Sequence, residues 1–243
     1  MAQRLTLQSI LFLLFCLPPA FSENDLPVFI TYNQKAIVTV KTELIETRPR
    51  TKPSLIVDPE TKKSYLLRRR KMADYERNAT GIIVTSSGYI LVNTHTIAHA
   101  PKITVTLHDG KNYPARLVQK AKGYDLSLIK IAPSSPLHPV LWGNSENIEA
   151  QQKILVMTSP DKNPNVMQGK ILAIQKSKDK NPPMVDAIEL NVPLERGDSG
   201  SAVLDTDGKF MAMIAARSSH FKSHSFAIPS SFIREIFKKY LVQ

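Results

Sequence analysis

Three short runs in this 243-residue chain carry side chains able to do proton-transfer and nucleophilic chemistry: Asn93-Thr94-His95, Tyr124-Asp125-Leu126 and Arg196-Gly197-Asp198-Ser199-Gly200-Ser201. A serine hydroxyl is a poor nucleophile until a neighbouring base takes its proton. Ser199 stands between glycines just ahead of an apolar stretch, and a tight turn there would expose its Oγ. The same turn would let the N–H groups of Gly197 and Ser199 converge on a negatively charged oxygen. Taken alone, Gly-Asp-Ser-Gly is equally an ordinary turn. His95 follows the apolar pair Leu91-Val92, where a histidine is commonly just structural. Asp125 opens a strand after a turn, a usual place for a capping carboxylate. The three gain weight together. They run His, Asp, Ser along the chain, one of the orders in which catalytic triads occur, and each has the local setting its role needs.

The elements that must position these residues read as short strands. Ala36-Ile37-Val38-Thr39-Val40 is rich in β-branched residues, which favour a pleated, half-buried surface. Three hairpins are predicted: around Ser86-Ser87-Gly88 between residues 81–84 and 89–92, around Asp109-Gly110 between 103–107 and 113–118, and around Asp207-Gly208 between 201–204 and 210–214. Both residues of an Asp-Gly turn tolerate positive φ. Residues 126–131 and 153–157 are further strand candidates. Residues 46–77, polar and interrupted by Pro49, Pro53 and Pro59, read as a long surface loop partly ordered by 54–57 and 64–67. One helix is predicted near the C-terminus, where Phe232, Ile233, Ile236, Phe237, Tyr240 and Leu241 recur at helical spacing behind Ser230 or Ser231 as N-cap. Its apolar stripe is expected to pack on its own domain. So many short strands with one helix argue for a barrel or sandwich.

Residues 1–22 have the pattern of a signal peptide: Arg4, an apolar run over 10–17, a break at Pro18-Pro19, and small residues Ala20 and Ser22 around Phe21. The run is too short to span a bilayer. The folded domain is therefore expected over 23–243, exported, with a periplasmic location first and secretion second. Cys16, the single cysteine, lies in the leader, so the exported part must be held by its core rather than by disulfides. A chain of this length can bury enough apolar surface to do that. The chain is basic, with 32 Lys and Arg against 21 Asp and Glu and a formal net charge of +11. Much of the excess sits in residues 48–71. That run would attract an anionic surface or simply keep a loop solvated. Only Tyr65 and Tyr75 are interleaved with it, so no nucleic-acid partner is expected.

Residues 81–131, read with 185–229, resemble the protease domain of the HtrA/DegP family. The strand pair ending in Asn93-Thr94-His95 is similar to that family's histidine motif. Lys102 through Ala115 is similar to the strand–turn–strand that follows it. Tyr124-Asp125-Leu126-Ser127-Leu128-Ile129-Lys130-Ile131 resembles the aspartate strand. Gly197-Asp198-Ser199-Gly200-Ser201 resembles the serine motif, and Ser225-Phe226-Ala227-Ile228-Pro229 the closing strand. The resemblance implies an all-β fold of two six-stranded antiparallel β-barrels of the chymotrypsin type, with a cleft between them and a C-terminal helix. It implies a serine endopeptidase acting on unfolded or flexible proteins. Ser199 would attack the scissile carbonyl, His95 would take and redeliver the proton, and Asp125 would hold the imidazole. The N–H groups of Gly197 and Ser199 would form the oxyanion hole. No metal or organic cofactor is implied, and the pairs His95/His99 and His220/His224 lack a third ligand.

This sequence departs from the family pattern at several positions. Glu195-Arg196 stands where the family has Asn-Pro, Ser201 replaces a glycine, and residues 158–163 replace a Gly- and Phe-containing loop. The sequence ends where PDZ domains begin in the family, and assembly into oligomers stays open. In trypsin-like enzymes an acidic residue six positions before the serine selects Arg or Lys. Pro193 holds that position here, so an apolar pocket of Leu194, Met213, Ile214, Ala215 and Ala216 is expected, suited to small or branched aliphatic residues. A protease-like scaffold or binding protein with a silent or conditionally assembled site is the alternative.

Overall fold

Apolar runs without polar alternation, such as Tyr89-Ile90-Leu91-Val92, need something to bury on both faces. Two barrels packed together supply it. The computed structural model describes residues 28–49, 54–57, 64–67, 70–159, 161, 166–175, 187–217 and 223–241; the leader expected at residues 1–22 and His220 lie outside them. A short helix α1 (Val28–Gln34) leads into β1 (Ile37–Pro49). β2 (Ser54–Val57), β3 (Ser64–Leu67), β4 (Arg70–Ile83) and β5 (Tyr89–Val92) follow. After the single turn α2 (Thr94–Ile97) come β6 (Lys102–Thr106), β7 (Asn112–Lys120) and β8 (Ser127–Lys130). The second half holds β9 (Lys153–Met157), β10 (Val166–Gln175), β11 (Ala187–Leu190), β12 (Ala202–Leu204), β13 (Phe210–Arg217), β14 (Ser225–Pro229) and the helix α3 (Ser230–Leu241).

Both halves close into six-stranded antiparallel barrels, in the orders β1-β4-β5-β8-β7-β6 and β10-β11-β14-β13-β12-β9. Three apolar clusters result. Val38, Val40, Ile83, Ile90, Val92 and Ile129 fill the first barrel. Ile154, Val156, Ile188, Leu190, Ile214 and Ala227 fill the second. Between them Ile37, Ile82, Leu91 and Leu128 meet Met157, Leu204, Phe210 and Met213. Neighbouring strand residues point to opposite faces, so Ile90 and Val92 enter the first barrel while Leu91 enters the interface. The unbroken apolar runs follow from that. α3 plugs the same interface with Ile233 and Phe237. Ser230 is not its cap: its hydroxyl donates to the Gly143 carbonyl at 3.3 Å. The Ser231 N–H is satisfied instead by Ser145 Oγ at 2.9 Å, from a turn distant in sequence.

The loop expected over 46–77 is in large part strand. β1 and β4 stay paired past the last β1–β6 pair, Glu43↔Lys102, through Glu46↔Ala73, Thr47↔Met72 and Arg48↔Lys71 to Pro49↔Arg70. The polar composition misleads there, because a ladder pairs backbone groups whatever the side chains are. Pro49 sits at the strand's end, where its missing N–H costs no ladder bond. β2 and β3 pair with each other as a separate two-stranded sheet.

Candidate active site

The first barrel supplies an acid–base pair. Asn93 follows β5 as the N-cap of α2, and the chain turns there at once, lifting His95 to the surface. Asp125 precedes β8, the strand paired with β5, so the two residues meet although 30 positions apart. Both carboxylate oxygens of Asp125 serve His95. Oδ1 accepts the backbone N–H at 2.8 Å and Oδ2 accepts Nδ1–H at 2.5 Å. An imidazole that gives Nδ1–H to a carboxylate keeps its lone pair on Nε2, ready to take a proton. Two further bonds hold the pair. Thr94 Oγ1 meets Ser127 Oγ at 2.7 Å, and Asn93 Nδ2 donates to the Asp125 carbonyl at 2.9 Å. Sequence reasoning passed over Asn93. It is fully buried between the histidine and aspartate turns, and its type alone gives no sign of that.

The second barrel supplies the serine turn. Gly197 has φ +97° and Gly200 φ +89°, a region that only glycine enters without strain. Asp198 is buried and closes the turn from below. Its Oδ2 accepts the Glu195 N–H at 2.7 Å, and its carbonyl accepts both the N–H (3.1 Å) and the hydroxyl (2.6 Å) of Ser201. The serine that replaces the family's glycine thus adds a bond to the turn. Gly200 N–H donates to Ile214 O at 3.1 Å, tying the turn to β13. Among the described residues, the N–H groups of Gly197 and Ser199 have no hydrogen-bond partner in the protein. They remain available to an incoming oxyanion.

The two halves meet at Gly200. A Cβ there would lie 2.1 Å from the carbonyl oxygen of Thr80 on β4 and 3.5 Å from Asn93 Oδ1. The serine turn therefore rests directly on the strand and the asparagine that carry the histidine turn. Gly200→Ala should cost about 3 kcal/mol, combining left-handed backbone strain with a backbone clash. Chemical denaturation would register this as a lower midpoint; an unchanged midpoint would contradict the close approach. The Ser199 hydroxyl is not hydrogen-bonded to His95 in this structure. Such bonds often tighten only when substrate arrives.

A cavity of about 140 Å³ opens beside Ser199, lined by Leu194, Glu195, Arg196, Ser199 and Ala216. Of the residues expected to line a pocket, Leu194 and Ala216 do so. Met213 and Ile214 do not: Met213 points into the inter-barrel cluster and Ile214 into the second barrel. Ala215 packs against the inter-barrel cluster. The β13–β14 register shifts between Ile214 and Ala216, and such a bulge re-aims the side chains that follow it. That leaves Ala216 exposed at the cavity. Glu195 and Arg196 place opposite charges on the rim, which the apolar reading did not include. His224 is engaged elsewhere, with Nδ1 at 2.7 Å from Glu189 Oε1.

Comparison with known proteins agrees with this fold. The trypsin-like peptidase domain family matches residues 79–213. A protein named probable periplasmic serine endoprotease DegP-like, from Pseudomonas fulva (strain 12-X), is 30% identical over 160 residues, which is 65% of this chain and 33% of that protein. Serine protease HTR4 of Rattus norvegicus is 28% identical over 191 residues, 76% of this chain and 39% of that protein. The chain thus spans between a third and two fifths of these relatives' length. The solved HtrA-type protease AlgW with decapeptide superposes with a TM-score of 0.67 at 24% identity, covering 87% of this chain and 66% of that one. At that identity the likeness is one of fold.

Proposed function

This chain belongs to the trypsin-like peptidase family, and from that premise we propose that it is a serine endopeptidase hydrolysing peptide bonds in unfolded or flexible proteins, with Ser199, His95 and Asp125 as its catalytic residues. The observation that carries this reading is the double grip of Asp125 on His95, next to a serine turn with two unengaged N–H groups. Ser199 Oγ attacks the scissile carbonyl carbon while His95 Nε2 takes its proton. Asp125 stabilises the imidazolium, and the N–H groups of Gly197 and Ser199 bind the new oxyanion. Collapse breaks the C–N bond, and the proton on Nε2 goes to the departing amine. Water, deprotonated by the same nitrogen, then releases the acid from the acyl-enzyme. The leader at residues 1–22 would export the protein; the Pseudomonas relative, named periplasmic, supports that compartment.

The scaffold reading retains one specific support, the Ser199 hydroxyl that makes no hydrogen bond to its base. A fluorophosphonate probe decides between the two. The peptidase reading requires covalent labelling of the folded protein that disappears in Ser199→Ala, and a folded protein that stays unlabelled leaves only the scaffold. Cleavage sites in an unfolded protein should then cluster after small or branched aliphatic residues, because Leu194 and Ala216 offer apolar surface and little room. Dominant cleavage after Arg or Lys would reject that preference.

A further inference from the structure

Thr80 lies buried on β4 of the first barrel, yet its polar groups serve the second. Its N–H donates to the Ser199 carbonyl at 3.0 Å. Its hydroxyl donates to the Gly197 carbonyl at 3.1 Å and accepts the Ser159 N–H at 2.9 Å. A hydroxyl has one proton; with Ser159 N–H on its lone pair, that proton goes to Gly197. We propose that Thr80 is a positioning residue, setting the oxyanion turn from across the barrel interface. This deepens the peptidase reading and rests on it.

In a trans peptide the C=O and N–H point in opposite directions, so holding the planes on either side of the 198–199 peptide limits how the Ser199 N–H between them can turn. The 197–198 plane is held at both ends, by Thr80 Oγ1 on Gly197 O and by Glu195 O on the Asp198 N–H at 3.3 Å. The 199–200 plane is likewise held, by Thr80 N–H on Ser199 O and by Ile214 O on Gly200 N–H. Between them, Ser201 holds the Asp198 carbonyl and so turns the Ser199 N–H the other way. The Thr80 hydroxyl is the one side-chain group among the described residues that grips Gly197 O. It is itself braced. Ser159 Oγ lies 2.5 Å from Thr39 Oγ1 on β1 and bonds the Asp161 carboxylate, which also receives Asn78 Nδ2 at 3.2 Å. Strands β1 and β4 therefore hold the loop after β9 and the serine turn as one unit.

Two variants test this. Thr80→Val keeps the shape and removes the hydroxyl; Thr80→Ser keeps the hydroxyl. Fluorophosphonate labelling of Ser199 and kcat on a peptide should fall by about 30-fold in Thr80→Val, less than the loss of a whole oxyanion donor. KM should stay within about twofold, since Thr80 is buried away from substrate, and hydrogen exchange over residues 195–201 should quicken by about tenfold. Thr80→Ser should recover labelling to within about threefold of the unaltered protein. Labelling at the unaltered rate in Thr80→Val, or a Ser variant as slow as the Val one, would overturn the proposal. Should Thr80→Val fail to fold, Thr39→Val loosens the same brace one residue away, with labelling about threefold slower expected; no slowing would overturn it equally. If the unaltered protein itself does not label, the peptidase reading fails, and hydrogen exchange in the two Thr80 variants still decides the clasp.

Discussion

With Ser199 or His95 replaced by alanine, kcat/KM on a peptide substrate is expected to fall by about a million-fold, and the double variant to fall no further. Non-additivity is the diagnostic part. The hydroxyl and the imidazole act in one event, the hydroxyl as nucleophile and Nε2 as its base, so removing either removes the whole gain. What survives is the binding energy and the two N–H groups of the turn. Stability should hardly move. His95 has about half its side chain exposed and makes its bonds through Nδ1 and the backbone, while Ser199 is anchored through its main chain. Substitutions at such positions ordinarily stay within about 0.5 kcal/mol, so lost activity with an unchanged unfolding midpoint isolates the chemistry. Losses that multiply in the double variant would mean that the two residues act in separate steps, and the triad would have to be abandoned.

The catalytic candidates were readable because their types are rare in combination and their order is distinctive. The supporting residues were not. Thr80 reads as an ordinary strand threonine, and its role exists only where a second barrel, over 100 residues on, meets it. Asn93 reads as the end of a strand, with no hint that its amide would hold the Asp125 carbonyl. Strand positions were clear from β-branched runs and Asp-Gly turns. Their direction was harder, since strands buried on both faces give no alternation to follow. Met213 and Ala216 show the consequence: same strand, opposite fates, separated by a bulge that leaves no mark in composition. α1 was missed altogether. Its seven residues are too few to show periodicity, and Asn33 Nδ2 fixes it with one bond inside the helix, to the Phe29 carbonyl (2.8 Å), and one tertiary bond, to the Gly208 carbonyl (2.9 Å).

Asp125→Asn should lower kcat by about ten-thousand-fold while KM moves within about twofold. The carboxylate offers acceptors to two donors at once, the His95 backbone N–H and its ring Nδ1–H. A carboxamide offers one acceptor and one donor group. If its oxygen keeps the backbone N–H, its NH2 faces Nδ1, and that nitrogen must become the acceptor. The ring proton then sits on Nε2, where it blocks uptake of the proton from Ser199. If the carboxamide turns over, its NH2 faces the backbone N–H, two donors oppose each other, and the histidine turn loses a hold. Either arrangement leaves substrate contacts intact, because Asp125 lies behind the imidazole rather than beside the cavity. The loss therefore falls on the proton transfer and not on binding. The same reasoning separates this variant from Asn93→Ala, which would release the Asp125 carbonyl but leave one carboxylate oxygen for the ring and the other for the His95 backbone N–H. A near-normal kcat in Asp125→Asn would show that Nδ1 can be satisfied without a carboxylate, and the site would reduce to a serine–histidine pair.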